Sequence, residues 1–174
     1  MKVLFLDFDG VLNSHQSNNF WHHNRDQDKW ENELYKDWQG TLREYIAQEF
    51  CPIALNNVQE LVRTVPDLKI VVSSTWRLGE TVETLKKILA PAKLVSDAVI
   101  DVTPAFRWRA GGETTRGHEI QDWLDRHPEV TNYVIIDDDS DMLDSQKDHF
   151  VHTSFLHGFQ YGDLLWARRI LGEK

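Results

Sequence analysis

Apolar and polar positions divide the chain into strand-like and helix-like segments. Residues 3–8, 68–72 and 133–136 are dominated by apolar side chains with no regular alternation. Such runs are typical of parallel strands that are covered on both faces. We therefore predict three central strands there, and weaker strands at residues 94–95 and 150–152.

Between these strands, apolar residues recur at helical spacing, and we predict a helix over each such set. The helix that contains Ile120 and Trp123 should run from residue 116 to 126, and Asp163 should cap the last helix of the chain. The alternation predicts an α/β fold with a doubly wound parallel sheet. The sets are Val58, Leu61, Val62 and Val65; Val82, Leu85, Ile88 and Leu89; Ile120, Trp123 and Leu124; and Leu164, Leu165, Ala167, Ile170 and Leu171.

Residues 14–50 interrupt this alternation. The segment is polar and charged but contains Trp21, Trp30 and Trp38. It is either a surface excursion whose aromatic rings pack on the sheet edge, or a lid that selects the substrate. The chain has 174 residues, 41% of them hydrophobic. We therefore expect one domain over residues 1–174, with a small insertion or lid at 14–50.

Charge and cysteine content exclude several classes of protein. The formal net charge of −9 argues against broad nucleic-acid binding and against binding to anionic membranes, although a local basic site stays open. Cys51 is the single cysteine, so no intrachain disulfide can form. No segment reads as a signal peptide or a bilayer span. We expect a cytoplasmic protein without a membrane partner.

Polar side chains follow each of the three predicted central strands. Ligands bind outside the carboxyl ends of strands in a doubly wound sheet, so these groups should meet in one crevice. Crowded carboxylates need a cation, and oxygen ligands favour Mg²⁺. The groups are Asp7 and Asp9; Ser73 and Ser74; and Asp137, Asp138, Asp139 and Asp141.

A phosphate site should lie beside this metal, since Mg²⁺ in proteins is often shared with a substrate phosphate. A serine hydroxyl at a strand end can donate to a phosphoryl oxygen. Arg116, near a helix N-terminus, adds a positive charge to exposed backbone N–H groups. Gly10 would let the backbone approach the phosphate closely.

These motifs, in this order, resemble the haloacid dehalogenase (HAD) superfamily of phosphohydrolases. The matching stretches are "DFDGVLN", "VVSS", Arg116 and "IIDDD". More narrowly, "SSTWR", "RGHEIQDWL" and "IIDDDSDM" are similar to the small HAD branch found in bacterial and phage RNA-repair proteins. The resemblance implies a HAD-like Rossmannoid fold and Mg²⁺-dependent hydrolysis of a phosphomonoester through an aspartyl-phosphate.

The resemblance also implies roles for individual residues. Asp7 would be the nucleophile and Asp9 the general acid and base, and both would contribute to the metal site. Asp138 would be the main acidic ligand from the last motif, supported by Asp137. Which of the four carboxylates in this motif binds the metal stays open, because Asp139 and Asp141 are outer-shell or helix-starting alternatives.

Phosphate binding is assigned in the same way. Ser73 is preferred because it directly follows the strand, and Ser74 is the alternative. Arg116 would supply the positive charge, with Lys93 as a weaker candidate. The arginine-rich and aromatic segment at 106–116 would either clamp a phosphate or stack a base, or be a simple loop.

The motifs indicate the class of substrate less directly than they indicate the reaction. A small insertion leaves the cleft open, which favours a nucleotide or a polynucleotide end, with a small sugar phosphate as the alternative. A non-catalytic reading is a phosphoacceptor receiver domain, which also combines aspartates with Mg²⁺. Its adjacent acidic pair normally follows the first strand, whereas here that strand is followed by Asp7 and Asp9 with Phe8 between them. A catalytically inactive binding module is the other alternative, although no expected catalytic position carries an inert residue.

Overall fold

A five-stranded parallel sheet organises the chain. The computed structural model describes residues 1–17, 50–106 and 115–173. The sheet has the strand order β3-β2-β1-β4-β5, and every neighbouring pair runs parallel. This confirms the predicted α/β fold with a doubly wound sheet. The strands are β1 (Lys2–Leu6), β2 (Leu68–Val72), β3 (Val99–Val102), β4 (Asn132–Asp137) and β5 (Phe150–His152).

Helices connect the strands and cover both faces of the sheet. The 3₁₀ turn Thr75–Arg77 follows β2, and the 3₁₀ turn Asp144–His149 precedes β5. The α-helices that lie wholly within the described ranges are α1 (Pro52–Thr64), α2 (Val82–Ile88), α3 (Lys93–Ala98), α4 (Arg116–Asp125) and α5 (Tyr161–Ile170).

The two faces of the sheet bury separate sets of side chains, because successive residues of a strand point to opposite faces. Leu4 and Leu6 of β1 pack in a large cluster with apolar residues of α1, α2, α3 and α5. Val3 and Phe5 pack on the other face with Ile120 and Trp123 of α4. These four side chains of β1 are fully buried, which explains the unbroken apolar run in the sequence.

The strand predicted at residues 94–95 is wrong. These residues lie in α3, and the strand begins only at Val99. Val95 and Ala98 face the core while Leu94 is exposed, which is the spacing of a helix. Two apolar residues are too few to distinguish the period of a strand from that of a helix, so contacts with neighbouring elements decide which one forms.

The ends of two helices refine the predictions. The helix expected at 116–126 is α4, which ends at Asp125 with Arg126 as its C-cap. The last helix begins earlier than expected, with Gln160 as its N-cap. Asp163 lies in its first turn and accepts a hydrogen bond of 2.8 Å from the Gln160 backbone N–H. The carboxylate therefore still satisfies a helix-terminal donor, one turn inside the predicted position.

Two sequence predictions fall largely outside the described residues. The predicted insertion at 14–50 includes residues 18–49, and the segment at 106–116 includes residues 107–114. The lid, phosphate-clamp and base-stacking hypotheses for them therefore stay predictions. No helix in the described ranges combines the length and apolar character that crossing a membrane requires.

Gln146 joins the start of α4 to the loop that follows β4. The side chain is fully buried, accepts a hydrogen bond of 3.0 Å from the Leu143 N–H and donates one of 2.9 Å to the Gly117 carbonyl. A β-carbon on Gly117 would lie 2.6 Å from the Leu143 nitrogen, so only glycine allows this approach. The contact fixes Arg116, at the first position of α4, relative to the end of β4.

We predict that Gln146→Leu destabilises the fold, because it removes the acceptor of the partly buried Leu143 N–H and one of the donors to the Gly117 carbonyl. The expected loss is about 1–3 kcal/mol in the free energy of unfolding, measured by urea titration. Lys147→Ala is the control, since its ion pair with Asp144 is exposed and should matter little. Equal stability of both variants would contradict the role assigned to Gln146.

Candidate active site

Backbone pairing continues one residue past the strands and places three candidate side chains in one row. The Asp7 N–H donates to the Ile136 carbonyl at 3.1 Å, and the Ser73 N–H donates to the Leu6 carbonyl at 3.0 Å. Asp137 is the last residue of β4 and lies next in this row. The parallel register therefore brings together residues that are up to 130 positions apart, as the sequence predicted.

The turn after Asp7 is compact and depends on Gly10. The Phe8 carbonyl accepts hydrogen bonds from Leu12 and Asn13 at 2.8 and 2.9 Å, and the Gly10 N–H donates to the Asn13 carbonyl at 2.9 Å. Gly10 has a φ of +67°, which favours glycine. A β-carbon there would also overlap the Asp138 carboxylate. The glycine thus allows the turn and the last acidic motif to approach each other.

Asp7, Asp137 and Asp138 form a group of carboxylates. One oxygen from each lies within 4.8 Å of the others. Asp7 and Asp137 are buried, whereas Asp138 is partly exposed. This separation would allow all three to contact one cation, and oxygen donors suit a hard metal such as Mg²⁺.

Burial raises the pKa values of these three carboxyl groups. Loss of solvent raises the pKa of Asp7 to about 6 and that of Asp137 to about 8, and the charge of Asp7 adds to the shift at Asp137. Burial also raises the pKa of Asp138, with the nearby Asp139 adding to it. Arg116 opposes all three shifts. Its single positive charge does not offset the cost of burying the carboxylates, so the cluster favours a further cation.

Arg116 lies between the two buried carboxylates. Its Nη1 is 3.3 Å from Asp7 Oδ1 and its Nε is 3.1 Å from Asp137 Oδ2. The second contact is an ion pair without hydrogen-bond alignment, so Asp137 Oδ2 accepts no hydrogen bond from the described residues. The Arg116 backbone N–H donates to Asp141 Oδ2 at 2.9 Å. Asp141 therefore stabilises the N-terminus of α4 and helps to place the guanidinium.

The two serines after β2 have different surroundings. The Ser74 hydroxyl hydrogen-bonds the Asp7 carboxylate and lowers its pKa. The Ser73 hydroxyl is fully buried and has no partner among the described residues. An unpaired buried hydroxyl is costly, so Ser73 retains a donor for a ligand at this position. Both serines lie at the site, and the preference for Ser73 as the phosphate ligand stays a prediction.

Asp9 is separated from the acidic cluster. Its Oδ2 accepts a hydrogen bond of 2.8 Å from the Trp76 indole N–H, and its Oδ1 accepts one of 3.0 Å from the Asn13 amide. The group formed by Asp7, Asp137 and Asp138 does not include the Asp9 carboxylate. A role of Asp9 as a metal ligand therefore stays a prediction without support from its side-chain position.

Arg77 is a structural part of the site that the sequence prediction missed. Its guanidinium donates to the carbonyls of Ser73 and Ser74, both at 2.8 Å, and forms an ion pair of 2.6 Å with Glu119 of α4. It also donates to the carbonyls of Thr103 and Pro104 at 2.9 and 3.0 Å. Arg77 thus joins the serine turn to the helix that carries Arg116. The available signal was the arginine of "SSTWR", which closely follows the strand-end serines.

The side chains of two other candidates are not part of this acidic cluster. Lys93, the alternative to Arg116, forms a surface ion pair of 3.0 Å with Asp97. Asp139 is exposed, and its backbone N–H donates to Asp137 Oδ1 at 2.9 Å. Its backbone, not its side chain, therefore supports the buried carboxylate.

A parallel sheet with buried carboxylates, an arginine and a serine hydroxyl at its carboxyl ends defines a HAD-type domain. The chain belongs to the family described as "HAD domain in Swiss Army Knife RNA repair proteins", whose sequence model matches residues 3–164. This confirms the resemblance drawn from the motifs. No curated protein and no solved structure matches the chain.

The raised pKa values predict that the metal-free protein loses stability as the pH rises. Between the ordinary pKa of 3.8 and about 8, folded Asp137 binds more protons than the unfolded chain does. Stability contributed by the protonated form is therefore lost across this window. Asp137→Asn removes this titration, so its free energy of unfolding should fall less between pH 5 and pH 8.

Urea unfolding at both pH values in excess chelator measures this difference. Asp122→Asn, on the exposed side of α4, is the matched control and should keep the wild-type pH dependence. If Asp137→Asn and wild type lose the same amount of stability, the burial cost assigned to Asp137 is wrong.

Proposed function

We propose that this protein is a Mg²⁺-dependent phosphomonoester hydrolase that acts through an aspartyl-phosphate on Asp7. The observation that carries the proposal is the placement of Asp7 beside Arg116, Ser73 and two further carboxylates at the carboxyl end of the sheet. Family membership supports the same class of reaction. The lone Cys51 favours action in the cytoplasm.

The described residues fit a bound Mg²⁺. Asp7, Asp138 and Asp137 would hold it, and the sequence prediction adds Asp9 to this set. The raised pKa values of the cluster support the fit, because they reflect negative charge that Arg116 alone does not compensate. When bound, the cation would neutralise negative charge on the phosphoryl oxygens and on Asp7.

The protein residues would divide hydrolysis into two displacements. In the first, an oxygen of Asp7 attacks phosphorus, the ester P–O bond breaks, and Asp9 gives its proton to the leaving alkoxide. In the second, Asp9 takes a proton from water, the water oxygen attacks phosphorus, and the bond to Asp7 breaks. Inorganic phosphate leaves, and both aspartates return to their starting states.

Arg116 and Ser73 would bind the phosphoryl group during both steps. The guanidinium already lies 3.3 Å from Asp7, so a phosphoryl group on that carboxylate would be within its reach. The Ser73 hydroxyl is the second donor, because no described residue accepts from it. These contacts would stabilise charge on the equatorial oxygens of the transition state.

For the substrate, we propose a phosphorylated nucleotide or polynucleotide end. The support is the family context of RNA repair, together with a net charge of −9, which restricts nucleic-acid contacts to a local site. Comparing rates on oligonucleotides with a terminal phosphate and on sugar phosphates tests this choice. A higher kcat/KM for sugar phosphates would assign the alternative substrate class.

We expect Asp7→Asn to lower phosphatase turnover by about a thousandfold or more, because the amide cannot attack phosphorus. The change in volume is small, so the fold should persist and circular dichroism should match the wild type. Phosphate release from an aryl phosphate is the measurement, and Asp122→Asn is the control that should keep activity. Near-normal turnover by Asp7→Asn would show that another group is the nucleophile.

Activity should disappear in excess chelator and return with Mg²⁺, whereas Ca²⁺ should restore it poorly. The larger and looser coordination shell of Ca²⁺ would misplace the phosphate relative to Asp7. Asp138→Ala should raise the Mg²⁺ concentration needed for half-maximal rate roughly tenfold or more. The exposed neighbour variant Asp139→Ala should stay near wild type. Full activity in chelator would refute the metal requirement.

A further inference from the structure

Asp9 is held at both carboxylate oxygens by neutral donors. The Trp76 indole N–H donates to Oδ2 at 2.8 Å, and the Asn13 side-chain amide donates to Oδ1 at 3.0 Å. A carboxylate with a donor at each oxygen cannot rotate without breaking a hydrogen bond. The two contacts therefore select one orientation of the Asp9 side chain.

The two donors come from different parts of the site. Asn13 ends the turn that begins after β1, and its backbone closes that turn through the Gly10 and Phe8 contacts described above. Trp76 lies in the 3₁₀ turn after β2, where its backbone N–H donates to the Ser74 hydroxyl oxygen at 3.3 Å. Asp9 is thus tied both to its own turn and to the serine turn.

The Trp76 ring is itself fixed by packing. Only 7% of the residue is exposed. Its ring centroid lies 5.6 Å from that of Phe8 and 5.4 Å from that of Phe50. An indole enclosed by two aromatic rings has little freedom to turn, so its N–H points in a constant direction. The donor is preorganised before any ligand binds.

We propose that Trp76 and Asn13 are positioning residues that hold Asp9 in the orientation from which it transfers a proton to the leaving group. The proposal rests on the proposed function, in which Asp9 is the general acid and base. In this role, neither residue would contact the phosphoryl group. Their effect on rate would pass through the placement of the Asp9 oxygens, and proton transfer is sensitive to such placement.

This role predicts a dependence on the leaving group that a purely structural role does not. An aryl phosphate such as 4-nitrophenyl phosphate releases a stable anion and needs little help from an acid. An alkyl phosphate releases a strongly basic alkoxide and depends on protonation as the P–O bond breaks. Misplacing Asp9 should therefore reduce kcat/KM on the alkyl ester much more than on the aryl ester.

The test measures kcat/KM of wild type, Trp76→Phe and Asn13→Ala on both esters with saturating Mg²⁺. We expect both variants to lose about ten- to a hundredfold more on the alkyl ester than on the aryl ester. Trp76→Phe keeps an aromatic ring between Phe8 and Phe50 but removes the donor. Asn13→Ala removes the other donor and keeps the backbone contacts of the turn.

Trp123→Phe is the matched control. Its indole N–H also donates to an aspartate, Asp101, at 2.7 Å, and the residue is likewise buried. This variant should lose some stability and keep the wild-type ratio between the two esters. The control therefore separates loss of an indole hydrogen bond in general from loss of the one on Asp9.

The outcomes separate this proposal from the proposed function. Equal losses on both esters, or no loss on either, would overturn the positioning role while leaving the phosphatase assignment in place. If Trp76→Phe fails to fold by circular dichroism, Asn13→Ala decides the question by the same ratio. A wild-type enzyme that hydrolyses neither ester would refute the proposed function and this proposal with it.

Discussion

The main physical constraint on this structure is the free-energy cost of burying like charges at the carboxyl end of its sheet. Asp7 and Asp137 lie on neighbouring strands where little water reaches them, and burial raises the pKa of both. A fold selected for stability alone would place apolar residues there. The neighbouring contacts reduce this cost, since Arg116 lies between the carboxylates, and the Asp139 N–H donates to Asp137. The remaining negative charge suits a cation and a phosphoryl group, which connects stability to the proposed chemistry.

A second set of contacts holds these groups in place. Arg77 joins the serine turn to Glu119 of α4, Gln146 joins α4 to the loop after β4, and Trp76 reaches from the serine turn to Asp9. Each of these side chains is buried and makes hydrogen bonds between different elements. The catalytic candidates therefore lie on a rigid frame, which phosphoryl transfer needs because it depends on positioning and charge neutralisation.

Much of the site could be predicted because strand ends are visible in a sequence. Apolar runs followed by Asp7, Ser73 and Asp137 indicated which groups the parallel register would bring together, and the structure places them in one row. The supporting residues were not predictable in the same way. Asn13 and Trp76 belong to quoted motifs, but nothing in their spacing indicates that both donate to Asp9. The same limit explains the error at residues 94–95, where two apolar residues fit a strand or a helix equally well.

The sequence by itself determined the three central strands, the parallel sheet and the identity of the acidic motifs, since these follow from local periodicity and from which residues end each apolar run. Only the tertiary structure decided which charged and polar groups pair with one another. It placed Arg116 between Asp7 and Asp137, gave the Ser73 hydroxyl no partner among the described residues, and paired the Asp9 carboxylate with the Trp76 and Asn13 side chains. The physical reason is that pairing, burial and pKa depend on distances across the fold, which local pattern does not contain.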